Sequence, residues 1–282
     1  MQKKRYAYRL KLRLEAPTLT IDFLMDLTRL DKQTVHKVLE IGGVWFKKQN
    51  IGKMHRLRNF NHELLNGDYI EFHYDPKIAE LPTLTEAKCL YDNLNYGVWV
   101  KPSGALSQGN EYSDHTSMLR LIEKKKRNAF LIHRLDREVE GLMLFAYTKD
   151  GARRLSTLLQ EDRVKKIYRA EVYGTLGTPG YEGEINSSID GDSALTLYKV
   201  ESQTASTTFV RVTLKTGRLH QIRRHFDYLG FPLMGDPKYG VGNKNADGLK
   251  LWAWGLKFND PFTRKALEFT LDDKITLPSP AQ

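Results

Sequence analysis

The sequence predicts an α+β protein in two parts, a small front module and a larger body, and three observations point there. Helix-period and strand-period apolar spacings follow one another along the chain, Pro76 and Pro82 break the pattern near residue 80, and positive charge is denser before that point. The first 80 residues hold 15 Lys and Arg against 10 Asp and Glu, a net +5, and the remaining 202 carry the other +5 of the formal +10. Domains are therefore expected at 1–80 and 81–282.

In the front module, Thr20 is placed to cap a helix carrying Ile21, Leu24 and Leu27. Asp31 is placed to cap a second carrying Val35, Val38 and Leu39, which Gly42-Gly43 would end. Val44-Trp45-Phe46 reads as a short strand, Asn66-Gly67 as a tight turn, and 69–74 as the strand after it. In the body, a strand over 96–100 leads into the turn Lys101-Pro102-Ser103-Gly104. Asp114 is read as the cap of a helix through Leu119 and Ile122 that ends in the solvated run Lys124-Lys125-Lys126-Arg127. A buried strand over 141–148 precedes a helix with Asp150 as cap and Leu155, Leu158 and Leu159 as apolar face. Further strands fall at 167–173, 195–200, 208–214, 250–254 and 266–271, and Ile222, Phe226 and Leu229 mark a helix ended by Gly230. Gly174, Gly177, Gly180 and Gly183 read as turns.

Composition narrows the function. A pI near 9.4 favours a polyanionic partner, because phosphate neutralisation releases counterions, although solvated Lys and Arg faces give the same charge. The single cysteine, Cys89, excludes an internal disulfide and a thiolate-rich zinc site. His220 and His225 lack the Glu and third ligand of a metal-hydrolase helix, so no metal or cofactor is expected. No apolar run approaches the ~18 residues of a membrane span, and no apolar run follows the basic start Met1-Gln2-Lys3-Lys4-Arg5. A monomeric cytoplasmic protein is expected.

The stretch that carries chemistry is His133-Arg134-Leu135-Asp136-Arg137, ahead of an apolar strand. A carboxylate placed there can act as nucleophile or base, or tie a loop to the sheet as an ion pair. Four other elements accompany it in fixed order: Lys101 to Gly104, Lys166 to Gly174, Thr216 to His225 and Gly235 to Gly240. Together the five read as "KPSG", "HRLD", "KxYxAxVxG", "TGRxHQIRxH" and "GDxxYG", and over about residues 90 to 282 the chain strongly resembles the RluA-type pseudouridine synthases.

That resemblance implies a pseudouridine synthase fold, a mixed and mainly antiparallel sheet with flanking helices and a central cleft. It implies an enzyme that isomerises uridines of ribosomal or transfer RNA without cofactor or metal. Asp136 would add covalently to the uracil ring or the ribose C1′. Tyr168 would lie against the flipped base and act as, or support, the proton-removing base, its other reading being an ordinary strand aromatic. Arg223 would pair with Asp136, Arg134 would fill the gap left by the base, and His133 and Arg218 would contact phosphate or hold the loop. Arg224 reads as a surface charge.

The front module resembles the ribosomal-protein-S-four-type RNA-binding domain, through "LEIGGVWFKKQN" followed by "LLNGDYIEF". This resemblance would place Lys32, Lys37, Lys47, Lys48, Lys53, Arg56 and Arg58 near phosphates; a small unrelated α+β domain with a basic face is the other reading. The chain departs from the synthase pattern at Glu138-Val139-Glu140-Gly141, where the family usually has a Thr-Ser-Gly ending. Two acids beside a polyanion call for neutralisation by Arg137 or Lys149, an unusual RNA, or weakened activity. The rival reading is a non-catalytic RNA-binding or assembly protein on the same scaffold. A metal-dependent hydrolase is disfavoured, because no second acid stands at ligand spacing from Asp136.

Overall fold

The computed structural model describes residues 5–49, 51–126 and 128–271. The chain forms two compact units, the first holding the chain up to Glu86 together with Gln108–Lys125, the second holding Ala87–Ser107 and the chain from Lys126 onward. Met1 to Lys4 and Arg127, from the two basic runs, lie outside the described residues.

The first unit contains β1 (Tyr6–Lys11), β2 (Thr18–Leu19), α1 (Thr20–Thr28), α2 (Lys32–Ile41), β3 (Val44–Lys47), β4 (His55–Arg56), β5 (Glu63–Leu64), β6 (Tyr69–Tyr74), α3 (Pro76–Ala79) and all but the last residue of α4 (Met118–Lys126). Its main sheet runs β1-β6-β3-β4, every pair antiparallel, and β2 pairs with β5. Leu24, Val35, Val38 and Leu39 from the two helices pack on Val44, Phe46, Ile70 and Phe72 from the sheet, the burial that their apolar spacing requires. Asp31 caps α2, its carboxylate accepting from the Thr34 amide at 2.9 Å, and Gly42 closes that helix at φ 85°.

Two caps differ from expectation. The Thr20 hydroxyl donates to the His62 carbonyl at 2.8 Å, so α1 starts at Thr20 with no side-chain cap. Asp114 caps no helix: α4 begins at Met118, with Ser117 Oγ accepting from the Arg120 amide at 3.3 Å. Both oxygens of the Asp114 carboxylate instead accept from Arg58 Nη2, at 2.6 and 2.5 Å, and Arg56 Nε lies 3.1 Å away. With Trp45 Nε1 donating to the Glu111 carbonyl at 2.9 Å, these contacts hold the 108–125 segment on the first unit, although the division expected at residue 80 leaves it in the body.

The second unit contains β7 (Cys89–Asp92), β8 (Tyr96–Lys101), β9 (Phe130–Leu131), β10 (Glu140–Ala146), α5 (Lys149–Gln160), β11 (Lys165–Tyr173), β12 (Glu182–Asn186), β13 (Leu195–Gln203), β14 (Thr207–Leu214), α6 (Gln221–Tyr228), β15 (Leu251–Asn259) and β16 (Ala266–Thr270). Among the described residues these strands make one ten-stranded sheet in the order β12-β13-β14-β11-β15-β10-β8-β7, with β16 beside β15 and β9 beside β10. All pairs are antiparallel except β10 with β15, so the sheet is mixed and mainly antiparallel, as expected. Gly141 sits in the parallel pair at φ 144°, where a Cβ would stand 2.4 Å from the Ala253 carbonyl oxygen; only glycine fits there.

The continuous apolar run of β10 is buried, and Leu155 and Leu158 of α5 pack on Leu142 and Leu144. The cap of α5 is Thr148, accepting from the Gly151 amide at 3.0 Å, whereas Asp150 lies in the first turn and pairs with Arg153 and Arg154. Gly183 lies inside β12, a strand that turn-like glycine spacing concealed. Among the described residues no helix is long and apolar enough to cross a membrane.

Candidate active site

The loop between β9 and β10 carries His133, Arg134 and Asp136, and the backbone around it is held from several sides. Ser107 Oγ donates to the Leu135 carbonyl at 2.7 Å and accepts from the Leu135 amide at 2.9 Å. Ser103 Oγ donates to the Glu138 carbonyl at 2.8 Å. Lys101, wholly buried, donates from Nζ to the carbonyls of Pro102, Ala105 and Arg137 at 3.0, 2.8 and 3.0 Å. Burial pulls its ammonium down to about 8, against the opposing pull of Glu138, Asp136 and Glu140. The "KPSG" turn is thus the clamp of the Asp136 loop.

Beside that loop lies a cleft of about 540 Å³, lined among others by Asp136, Tyr168, His133, Arg134, Arg218 and Arg223. Residues 87 positions apart in sequence meet here: Arg223 Nη1 lies 3.3 Å from Asp136 Oδ2. The stronger partner of Arg223 is Asp236, fully buried, which accepts from Nε at 2.7 Å and Nη2 at 2.8 Å. This two-point fork fixes the guanidinium plane and aims the remaining nitrogen at Asp136. Burial works against the Arg223 charge, but the hydrogen bonds and charge of Asp236, then of Asp136, outweigh it and raise its pKa. Burial likewise pushes Asp236 up, and the Arg223 fork with the amides of Lys238 and Tyr239 overcomes it, so its carboxyl lies below the usual range.

Residues 95–228 match the RNA pseudouridylate synthase family. A dual-specificity RNA pseudouridine synthase, RluA, of Pasteurella multocida is 35% identical over 64% of this chain and 90% of its own length. The chain belongs to the RluA-type RNA pseudouridine synthases. A ribosomal large subunit pseudouridine synthase C of Vibrio parahaemolyticus is 30% identical over 68% of the synthase, which spans 66% of that relative's length. In fold, the synthase matches human RNA pseudouridylate synthase domain containing 1 with a TM-score of 0.57 at 22% identity, over 69% of this chain and 86% of that one.

The other residues singled out from the synthase's sequence are placed as follows. Tyr168, on β11, is buried; burial and then the Asp136 charge push its hydroxyl up, which favours a neutral phenol over a phenolate base. His133 accepts from the Leu144 amide at 3.1 Å, tying the loop to β10. Burial, then Lys166, pushes its imidazole down to about 4, toward the neutral form such an acceptor needs. Arg134 is exposed at the cleft. Arg218 lies 3.2 Å from Asp192 and donates to the Ser193 carbonyl at 3.1 Å. Arg224 forks onto Asp190 at 2.8 and 3.0 Å at the surface.

Glu138 Oε2 lies 3.4 Å from Arg223 Nη1, so a cation beside it is Arg223, a neighbour that neither Arg137 nor Lys149 had suggested. Sequence reading overlooked Asp236 and Tyr239, whose only signal was membership of the "GDxxYG" element. In the first unit, Lys48 and Lys53 are exposed and Lys47 half-buried, and none of the three makes an ion pair among the described residues. Lys37 lies 3.7 Å from Glu40. Arg56 and Arg58 both pair with Asp114. Among the described residues no group of three or more His, Cys, Asp or Glu could hold a metal ion.

Proposed function

We propose that this synthase isomerises uridines of a structured ribosomal or transfer RNA, with Asp136 as the carboxylate that attacks the target nucleotide. The observation that carries this reading is an Asp136 carboxylate in an open cleft shared with Tyr168, braced by a buried Arg223 that Asp236 holds in place. The reaction breaks the bond from C1′ to the uracil nitrogen, turns the base and joins C1′ to a ring carbon, whose proton is lost while the freed nitrogen gains one. Nothing is oxidised, and a positioned nucleophile in the cleft suffices. The base must leave its stack at a cost of a few kcal/mol, which stacking on Tyr168 and insertion of Arg134 would offset.

Relatives named for the ribosomal large subunit support ribosomal RNA as the first target to examine. On this reading the enzyme works in the cytoplasm as a monomer, with its first unit as an RNA-binding module. Pseudouridine mapping across total RNA of cells with and without the gene tests it: one or more pseudouridines should disappear and return on complementation. An unchanged map would refute the assignment.

The RNA-holding role of the first unit rests on Lys47, Lys48 and Lys53. Replacing all three by Gln should weaken RNA binding and make log affinity less steep against log salt, by roughly 0.7 to 0.9 for each phosphate that is no longer neutralised. The matching change at Arg58 should act mainly on stability, through Asp114. A triple variant with unaltered slope would remove these lysines from the RNA interface.

A further inference from the structure

A second contact reaches the Asp136 carboxylate besides that of Arg223. His220 precedes α6 in the left-handed region at φ 52°, and its side chain makes no cap to that helix. Its Nδ1 stands 3.0 Å from the Tyr239 hydroxyl, the rings meeting edge-on at 82°, and its Nε2 lies 3.8 Å from Asp136 Oδ2. Tyr239 is itself fixed: its amide donates to Asp236 Oδ1 at 3.1 Å, its carbonyl accepts from Asn243 Nδ2 at 3.1 Å and Lys244 Nζ at 2.8 Å, and the Arg223 guanidinium lies 5.3 Å from its ring centre. Among the described residues, the two polar contacts to the Asp136 carboxylate, from Arg223 and from His220, both fall on Oδ2.

The tautomer follows from this placement. Burial pushes the His220 imidazole down, and Asp136 and Glu138, which favour its charge, are opposed by Arg223 and Lys238. A neutral ring has one N–H. If Nδ1 donated to Tyr239, a lone pair on Nε2 would face a carboxylate oxygen, which is repulsive. If the Tyr239 hydroxyl donates to Nδ1, the proton sits on Nε2 and points at Oδ2. The 3.8 Å separation is longer than a hydrogen bond, and such contacts commonly tighten when substrate arrives.

We propose that His220, its tautomer fixed by Tyr239, is a positioning residue that secures Oδ2 of Asp136 and leaves Oδ1 as the attacking atom. The inference rests on Asp136 being the nucleophile. Oδ1 supplies the electron pair of the new bond, and Oδ2 becomes the acyl oxygen, still facing its N–H donors. Attack at C1′ sends the glycosidic pair out with the uracil nitrogen, and attack on the ring moves the C5–C6 π pair toward the C4 carbonyl oxygen. From the C1′ adduct, C5 of the turned uracil attacks C1′ and expels the carboxylate as the new carbon–carbon bond forms; the ring adduct expels it by the reverse of the addition after C1′ has passed from nitrogen to C5, and in both cases C5 then loses its proton and the freed nitrogen gains one.

The test uses the full chain and ribosomal RNA from cells lacking this protein, comparing single-turnover rates and RNA affinities of wild type, H220A, H220Q, Y239F and H220A/Y239F, with thermal melts. H220A and Y239F should each slow the chemical step on the order of ten- to a hundred-fold, the scale of one lost hydrogen bond to a charged group, with RNA affinity within about two-fold. The double variant should be no slower than H220A, because Tyr239 acts only through His220. H220Q, whose amide can donate near the Nε2 position, should recover part of the rate. Additive losses, wild-type rates, or losses confined to affinity would overturn the proposal, and H220Q and Y239F decide it if H220A does not fold. D136N in the same series separates the two readings: active D136N removes the nucleophile itself, whereas inactive D136N beside fully active His220 and Tyr239 variants removes only this inference.

Discussion

Asp136→Asn is expected to abolish pseudouridine formation while leaving RNA affinity within about two- to three-fold of wild type. On the proposed function the carboxylate makes and breaks bonds while the cleft and the basic surface of the first unit hold the RNA, so the two measurements should part company. The amide keeps the shape of the side chain and can still lie beside Arg223, which makes loss of folding a poor explanation for inactivity. Removal of a covalent nucleophile should cost at least about 10⁴-fold in turnover, the scale seen when a reacting group is deleted. The measurement is pseudouridine content of the mapped RNA after prolonged incubation with excess enzyme. Appreciable product from the Asn variant would mean that another group attacks the nucleotide.

Arg223→Ala should do more than stop turnover: it should also destabilise the second unit by about 3–5 kcal/mol, as removal of one partner from a buried pair generally does. Asp236 is fully buried and would keep only the amides of Lys238 and Tyr239, while Asp136 and Glu138 would face one another without their shared cation. Arg223→Lys should be a partial rescue, since one ammonium cannot fork onto Asp236 and still reach Asp136. The pH dependence has a definite sign. The Asp236 carboxyl lies below its ordinary value of 3.8 in the folded chain, so its contribution is complete above that value and is lost as pH falls through the lower folded value. Acid melts of wild type should show that loss, and the Ala variant, starting lower, should show much less of it. Equal melting temperatures for wild type and Arg223→Ala at neutral pH would contradict the buried-pair account.

Much of this was legible in the sequence because the motifs are local. The "HRLD" run, Tyr168 and the "TGRLHQIRRH" run each lie within a few consecutive residues, and their fixed order marks the cleft-lining set in the sequence itself. The helix ends marked by Asp31 and Gly42 were legible for the same reason. What escaped was decided by distant partners. Asp114 looked like a helix cap until Arg58, 56 positions away, claimed it. Glu138 looked like an intruder until Arg223, 85 positions away, was found opposite it. Asp150 lost the cap to Thr148, which is also a good capping residue, because Arg153 and Arg154 hold its carboxylate. The short strands β7 and β12 carry too few apolar residues to announce themselves by alternation.

The parallel pairing of β10 with β15 has a topological consequence. β10 and β15 enter the sheet from the same end, so the segments delivering each of them, 132–139 and 229–250, emerge at one margin. The first brings Asp136 and the second Asp236 and Tyr239, which is how a lone guanidinium can serve both carboxylates. Had β15 run antiparallel to β10, its leading segment would open at the far margin, a strand length away, or about 20 Å for six or seven residues. No side chain spans that gap. The steric demand met by Gly141, which lets two strands with the same heading lie close, is therefore a condition for the cleft to exist.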